Sequence, residues 1–162
     1  MTKLLTDDKY NFVGKKDTDF IVAFDDYMIA NGYKNNGIQA YYVFGKYKIE
    51  YYKTKNKYVA RIYFRDDGIV LRLYFSNIEK HKNYIENAPE FIKKPFVDDS
   101  HKCKKPNCKG MMLNDKCRFR KTYTIDGMSH VKCASESFMY HELEAENASE
   151  YVALLDTFYP GR

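Results

Sequence analysis

The sequence predicts an α+β fold: an antiparallel meander packed by helices, with a small C-terminal module made of a cysteine loop and a hairpin. Three observations lead to it. Phe20, Ala23, Phe24, Tyr27 and Met28 recur at helical spacing, whereas Tyr47 to Phe75 carries apolar residues at every second position. Asp66-Asp67-Gly68 and Asp126-Gly127 each separate two such alternating stretches, which is the signature of a tight hairpin.

The first 16 residues show no strong period and are expected to form a short helix or a docked arm. Asp17 and Thr18 are candidate caps for a helix over about 18–31, with Gly32 as its stop. Lys34-Asn35-Asn36-Gly37 then reads as a turn. Three strands follow: Tyr47, Ile49 and Tyr51 on the first, Ala60, Ile62 and Phe64 on the second, and Ile69, Leu71, Leu73 and Phe75 on the third, all toward one apolar face. Ser76 and Glu79 form a capping-box pattern opening a helix that runs to about Asn87, ended by Pro89. Pro95 to Ser100 reads as the boundary of the C-terminal module, so a single domain is expected with a core at 1–99 and the cysteine loop, hairpin and terminal helix at 100–162. Cys117–Ile125 and Met128–Ala134 flank the second hairpin turn, and Ala148, Tyr151, Val152, Leu155 and Phe158 give the last helix its apolar stripe. Ile62, Phe64, Leu71 and Leu73 are expected to face Phe20, Phe24 and Leu155 across two packed layers.

A chain of 162 residues can bury a core without covalent staples. Its longest apolar runs, such as Phe20 to Phe24, are far shorter than the roughly 20 residues of a membrane span, so no membrane partner is expected. Met1 to Asp8 lacks the apolar stretch of a signal peptide, and a cytoplasmic location follows as the expectation. The net charge of +5 is unevenly spread: residues 101–124 hold eight Lys/Arg and one Asp, residues 136–156 six Asp/Glu and no Lys/Arg. Such a basic stretch suits nucleic acid or another polyanion, and equally a solvated loop.

All four cysteines, Cys103, Cys108, Cys117 and Cys133, lie in this second half, spaced C-x4-C-x8-C-x15-C. In a reducing compartment such a cluster more often binds metal than forms disulfides, and four thiolates suit tetrahedral zinc. Structural zinc is therefore the expected cofactor, with buried thiols or a redox pair as the alternatives. Lys102, Lys104, Lys105 and Lys109 would favour the thiolate form. The hairpin sharpens the test. A strict two-residue turn pairs Ile125 with Met128 and sets Cys133 opposite Arg120, so Cys117 on a regular strand would point away from Cys133. Four sulfurs then need a bulge, a longer turn or a cysteine just beyond the ladder; otherwise His101 or His130 must replace one.

On the meander's other face Lys48, Tyr52, Arg61, Tyr63, Arg65, Arg72 and Tyr74 interleave cations with rings. Arg61, Tyr63, Arg65, Arg72 and Tyr74 are accordingly the candidate nucleic-acid-binding residues, since rings stack bases and cations hold phosphates. Strand propensity alone also recruits such pairs, which would then stack on each other. No catalytic pattern occurs: no G-x-S-x-G, H-E-x-x-H, P-loop or dinucleotide-binding glycines. The leading expectation is a non-enzymatic cytoplasmic binding protein. The alternatives are a small-molecule sensor or enzyme with an aromatic pocket between helix 18–31 and the sheet, and an adaptor or inhibitor that binds a protein partner.

The run Cys117-Arg118-Phe119-Arg120-Lys121-Thr122-Tyr123-Thr124-Ile125-Asp126-Gly127, with the upstream cysteines and the terminal Phe158-Tyr159-Pro160, resembles a set of small uncharacterised bacterial proteins. The resemblance reaches back to the Arg61-to-Phe75 strands and the helix after them, about two-thirds of the chain. It implies a four-cysteine segment followed by an RKTYTIDG-type hairpin and brings no activity with it.

Overall fold

The computed structural model describes residues 5–104, 108, 117–134 and 138–161. Lys105 and Lys109, two of the four lysines expected to favour the thiolates, lie outside the described residues. In chain order the elements are α1 (Lys15–Ala30), β1 (Lys34–Ala40), β2 (Tyr47–Tyr52), β3 (Tyr58–Arg65), β4 (Gly68–Leu73), α2 (Lys82–Glu86), α3 (Glu90–Val97), β5 (Arg120–Ile125), β6 (Met128–Cys133), β7 (Met139–Tyr140) and α4 (Ala148–Phe158). The expected α+β class with a strand meander is what forms. No helix among the described residues is long and apolar enough to cross a membrane.

Two compact units result: residues 1–74 with 139–162, and residues 75–138. The division differs from a boundary at residue 99, because β7 pairs with β4 and α4 packs on α1. The terminal helix therefore belongs with the meander and not with the cysteine loop.

In the first unit the sheet order is β1-β2-β3-β4-β7, antiparallel throughout. Two residues, Asp66 and Asp67, make the β3–β4 turn, and Arg65 pairs with Gly68. Gly68 takes a φ of +127°, open to glycine at little cost. The register puts Ile49, Tyr51, Ala60, Ile62, Phe64, Ile69, Leu71 and Leu73 on one face, all buried. Phe24 of α1 meets this face at Tyr51, and Phe20 of α1 and Tyr151 and Leu155 of α4 are also buried. Ring contacts fill this layer: Phe24 meets Tyr51 edge-on at 5.3 Å, and Phe20 meets Tyr151 at 5.9 Å.

Helix α1 starts without a side-chain cap, at Gly14. Asp17, expected as a cap, sits in the first turn, where its charge suits the helix dipole, and accepts a hydrogen bond from Ile69 N at 3.2 Å. The helix ends in a Schellman motif, with Tyr33 N donating to Met28 O and Gly32 N to Ile29 O. Its Asp25 is buried, and its carboxylate accepts hydrogen bonds from the Tyr51 hydroxyl at 2.9 Å and the Asn35 amide at 2.7 Å. One satisfied carboxylate thereby ties α1 to β1 and β2.

The second unit has a core of Phe75, Ile78, Ile85, Ile92, Phe96, Tyr123, Ile125 and Phe138. Phe96 contacts Phe138 at 5.0 Å and Phe75 at 5.2 Å, and the Tyr123 hydroxyl donates to Phe96 O at 2.6 Å. The capping box expected at Ser76 and Glu79 does not form. A 3-10 turn at Ile78–His81 leads into α2 from Asn77, and the Glu79 carboxylate instead accepts from Thr124 N at 2.6 Å. Glu86 accepts from Asp126 N in the same way at 2.5 Å. Two glutamates thus serve an amide on the edge of β5 that faces away from β6 and one in the β5–β6 turn.

Candidate functional site

The β5–β6 hairpin has the register its Asp-Gly turn dictates. Ile125 pairs with Met128 and Arg120 with Cys133. Asp126 and Gly127 both take positive φ, 51° and 78°, as a two-residue turn of this type requires. Beyond the ladder the backbone gathers the cysteine segments. Lys102 bridges Lys132, with Cys103 N donating to Val131 O at 3.0 Å and Cys133 N to His101 O at 2.9 Å. Residues 101–103 therefore continue the hairpin as a third short strand beside β6. On the other side Arg120 N donates to Cys117 O and Ala134 N to Phe119 O.

Cys117 stands in the turn that leads into β5, outside the ladder. Strand alternation consequently does not force it away from Cys133. By register Cys103 lies opposite Val131 and diagonal to Cys133, so both cysteines occupy the same face of the three-strand ladder. His130 is on the other face with Lys132, its ring stacked on Tyr123 at 5.4 Å. Burial first, then the charges of Lys132 and Lys102, hold the His130 imidazole below its ordinary value. These positions keep His130 out of a site formed with Cys133.

All four cysteines are half-buried, and no disulfide forms among the described residues. Among those residues no three His, Cys, Asp or Glu side chains are close enough together to hold a metal ion. What the fold assembles is narrower: Cys103, Cys117 and Cys133 are carried on backbone segments hydrogen-bonded to one end of one hairpin.

Lys132 anchors that end. Its side chain is about 2% exposed, and its ammonium donates to Asp98 O at 2.6 Å, Asp98 Oδ1 at 2.6 Å and Ser100 O at 3.0 Å. Three acceptors match the three ammonium hydrogens, which is what lets a lysine be buried. Burial works against the charge of Asp98, but the hydrogen bonds from Lys132 and Ser100 outweigh it and hold the carboxyl below its ordinary value. Lys102, directly opposite Lys132, turns outward to Asp99 at 3.1 Å. A cavity of about 570 Å³ adjoins this anchor, lined among others by Lys93, Asp126, Lys102, Cys103 and His130. Its lysines are engaged with carboxylates, Lys93 with Asp126, Lys102 with Asp99 and Lys132 with Asp98.

The sheet face expected to read nucleic acid is organised differently from that expectation. Arg61 and Lys48 both grip the Glu50 carboxylate, Arg61 through Nε and Lys48 at 3.3 Å, and Glu50 is only 4% exposed. Tyr63 is buried: Tyr41 stacks on its ring at 5.7 Å and Phe44 meets it edge-on at 4.8 Å. Both covering rings come from the β1–β2 loop. Arg72 lies over the Tyr74 ring and reaches the Tyr63 hydroxyl at 3.4 Å, and Arg65 lies over Phe44 at 4.3 Å. Burial raises the Tyr63 phenol, but hydrogen bonds from Arg61 and Arg72 outweigh that and lower it. Arg61, Tyr63, Arg72 and Tyr74 are brought together on one another, Arg65 lies apart on Phe44, and the Tyr63 ring is closed to an incoming base. The covering residues Tyr41 and Phe44 and the buried Glu50 were missed from sequence; the charge of Glu50 at a strand-centre position was the available signal.

No family model, no curated protein and no solved structure matches this chain.

Proposed function

We propose that this chain is a non-enzymatic binding protein whose second unit is cross-linked by a structural zinc ion on Cys103, Cys108, Cys117 and Cys133. The observation that carries the reading is the convergence of the segments bearing Cys103, Cys117 and Cys133 on one end of the β5–β6 hairpin through backbone hydrogen bonds. Thiolates are the ligands zinc prefers in closed sites, and binding them together offsets the entropy of the loop between. The reading implies a reducing compartment, and the cytoplasm is the proposed location. Its proposed partner is a polyanion such as single-stranded nucleic acid, met by the exposed cations around the cysteines, Lys102, Lys104 and Arg118.

Elemental analysis with thiol counting tests the metal. Protein purified without chelator should carry about one zinc per chain and lose thermal stability when a chelator removes it. Metal-free protein with four titrating thiols and a melting temperature indifferent to chelator would end the reading.

A further inference from the structure

We infer that the second unit receives an extended, basic peptide segment of another protein, added as a strand to the outer edge of β6 in the groove between that edge and α3. The inference goes beyond the zinc and polyanion readings and needs neither.

The edge is open by register. In an antiparallel hairpin alternate residues turn their N–H and C=O away from the partner strand. On β5 the outward Thr124 N–H is met by the Glu79 carboxylate at 2.6 Å. On β6 Val131 O accepts the Cys103 N–H at 3.0 Å and the Cys133 N–H goes to His101 O at 2.9 Å, so the odd-numbered residues of this strand face outward. Ser129 belongs to the same series, and among the described residues neither its N–H nor its C=O has a hydrogen-bond partner. The bridge to residues 101–103 has lapsed before it is reached, since Cys103 O takes no bond from the Val131 N–H. Ser129 is exposed, and an open donor and acceptor on a strand edge is what an added strand uses.

A groove flanks this edge. Glu90, Lys93 and Val97 stand at i, i+3 and i+7 on one side of α3 and, with Met128, Ser129 and His130, line the cavity of about 570 Å³. All of them belong to the second unit. A peptide residue laid against Ser129 exchanges both backbone hydrogen bonds with it, and its two neighbours then project on the face of His130. That face looks toward α3: the His130 ring stacks on Tyr123, whose hydroxyl donates to Phe96 O.

Charge selects the occupant. The lysines of the lining are already matched, Lys93 to Asp126, Lys102 to Asp99 and Lys132 to Asp98. Glu90 is the acid left over: it is exposed and forms no ion pair among the described residues. His130 brings no opposing charge at neutral pH, because burial and the charges of Lys132 and Lys102 hold its imidazole below the ordinary value. A lysine or arginine on the incoming strand can lay its apolar stem along Met128 and Val97 and carry its charge to Glu90. An acidic segment would meet Glu90 with every lining lysine already engaged.

Amide chemical shifts of the full-length protein, titrated with the acetylated and amidated tripeptide Lys-Val-Lys, read the groove directly. The Ser129 and His130 amides should shift saturably. The same tripeptide N-methylated at its central valine lacks the donor for Ser129 O and should not bind. Glu-Val-Glu should bind more weakly than Lys-Val-Lys, and Glu90→Gln should lower the affinity for Lys-Val-Lys about two- to fivefold and narrow that preference. Ser129→Pro removes the outward N–H from an edge that tolerates proline, so it should keep the β5–β6 amide signals and lose the peptide. If Ser129→Pro fails to fold, the N-methylated peptide on the wild-type chain decides the same point. No shift at Ser129, equal binding of the parent and N-methylated peptides, or equal affinity for Lys-Val-Lys and Glu-Val-Glu would overturn the proposal. So would a Ser129 amide protected from exchange before any peptide is added, which would mean that this chain or a second copy already fills the edge. These readouts involve neither metal nor nucleic acid, so their failure leaves the zinc and polyanion readings standing.

Discussion

Glu50 and Arg61 stand directly opposite each other on β2 and β3, and the Arg61 Nε donates to the Glu50 carboxylate on a face where Glu50 is almost wholly removed from water. Lys48, two residues along the same strand, takes the other carboxylate oxygen. One buried acid thus compensates two partly buried cations. Removing it strands both, and Glu50→Gln should cost about 3–5 kcal/mol of unfolding free energy. Denaturant titration measures this. A loss under about 1 kcal/mol, the range of exposed pairs, would mean that water already solvates the cluster.

Gly45 is a second point of tight fit. A Cβ built there would lie 2.7 Å from Phe64 O, and that carbonyl already accepts the Lys46 N–H at 2.7 Å. Backbone cannot yield as a flexible side chain would, so Gly45→Ala should lift the β1–β2 loop and cost about 1–3 kcal/mol. Hydrogen exchange at the Lys46 amide should accelerate. Unchanged protection there would show that the loop accommodates the methyl group.

The second unit should weaken in acid in two stages. The His130 imidazole is held below its ordinary 6.5, so the unfolded chain binds that proton more tightly. Its stabilising contribution is complete above pH 6.5 and is lost as pH falls through the lower folded value. Asp98, held below 3.8, contributes above that value and loses its contribution as pH falls through the lower folded one. Protection of the β5 and β6 amides, corrected for the intrinsic pH dependence of exchange, should therefore fall from pH 7 toward 5 and again below about 4. A flat profile between pH 7 and 5 would remove His130 as a contributor.

Polyanion binding separates by location. Arg61 is committed to Glu50, whereas Lys104 is exposed in the cysteine loop. Arg61→Gln should lower stability and leave the salt dependence of single-stranded RNA binding unchanged. Lys104→Gln should leave stability unchanged and reduce the salt slope by about one. The reverse pattern in a mobility-shift series would return the polyanion to the sheet face.

Alternation and turn chemistry made the meander and the second hairpin legible, because Asp-Gly and Asp-Asp-Gly admit few backbone paths and the apolar face admits one register. β1 was not legible. Lys34-Asn35-Asn36-Gly37 has the composition of a turn, and it becomes a strand only by pairing with β2. α3 was hidden by Pro95, which lies inside it; burial of Ile92 and Phe96 outweighs the lost helix hydrogen bond. At the candidate site, the parity argument placed Cys133 opposite Arg120, and of the alternatives it left open the structure has the cysteine just beyond the ladder, Cys117 before β5. The burial of Tyr63 was beyond reach because its cover comes from a loop about 20 residues earlier, a distance at which periodicity says nothing.

The outermost strands of the five-stranded sheet bear on how this protein behaves at high concentration. β1 carries a register shift between Asn35 and Ile38, with Gly37 at a φ of +75°, and β7 is only two residues long. A foreign strand needs a long, flat row of open amides and carbonyls to add to a sheet, and neither margin supplies one. Backbone shape at both margins therefore works against edge-to-edge addition in a chain with 16 tyrosines and 11 phenylalanines.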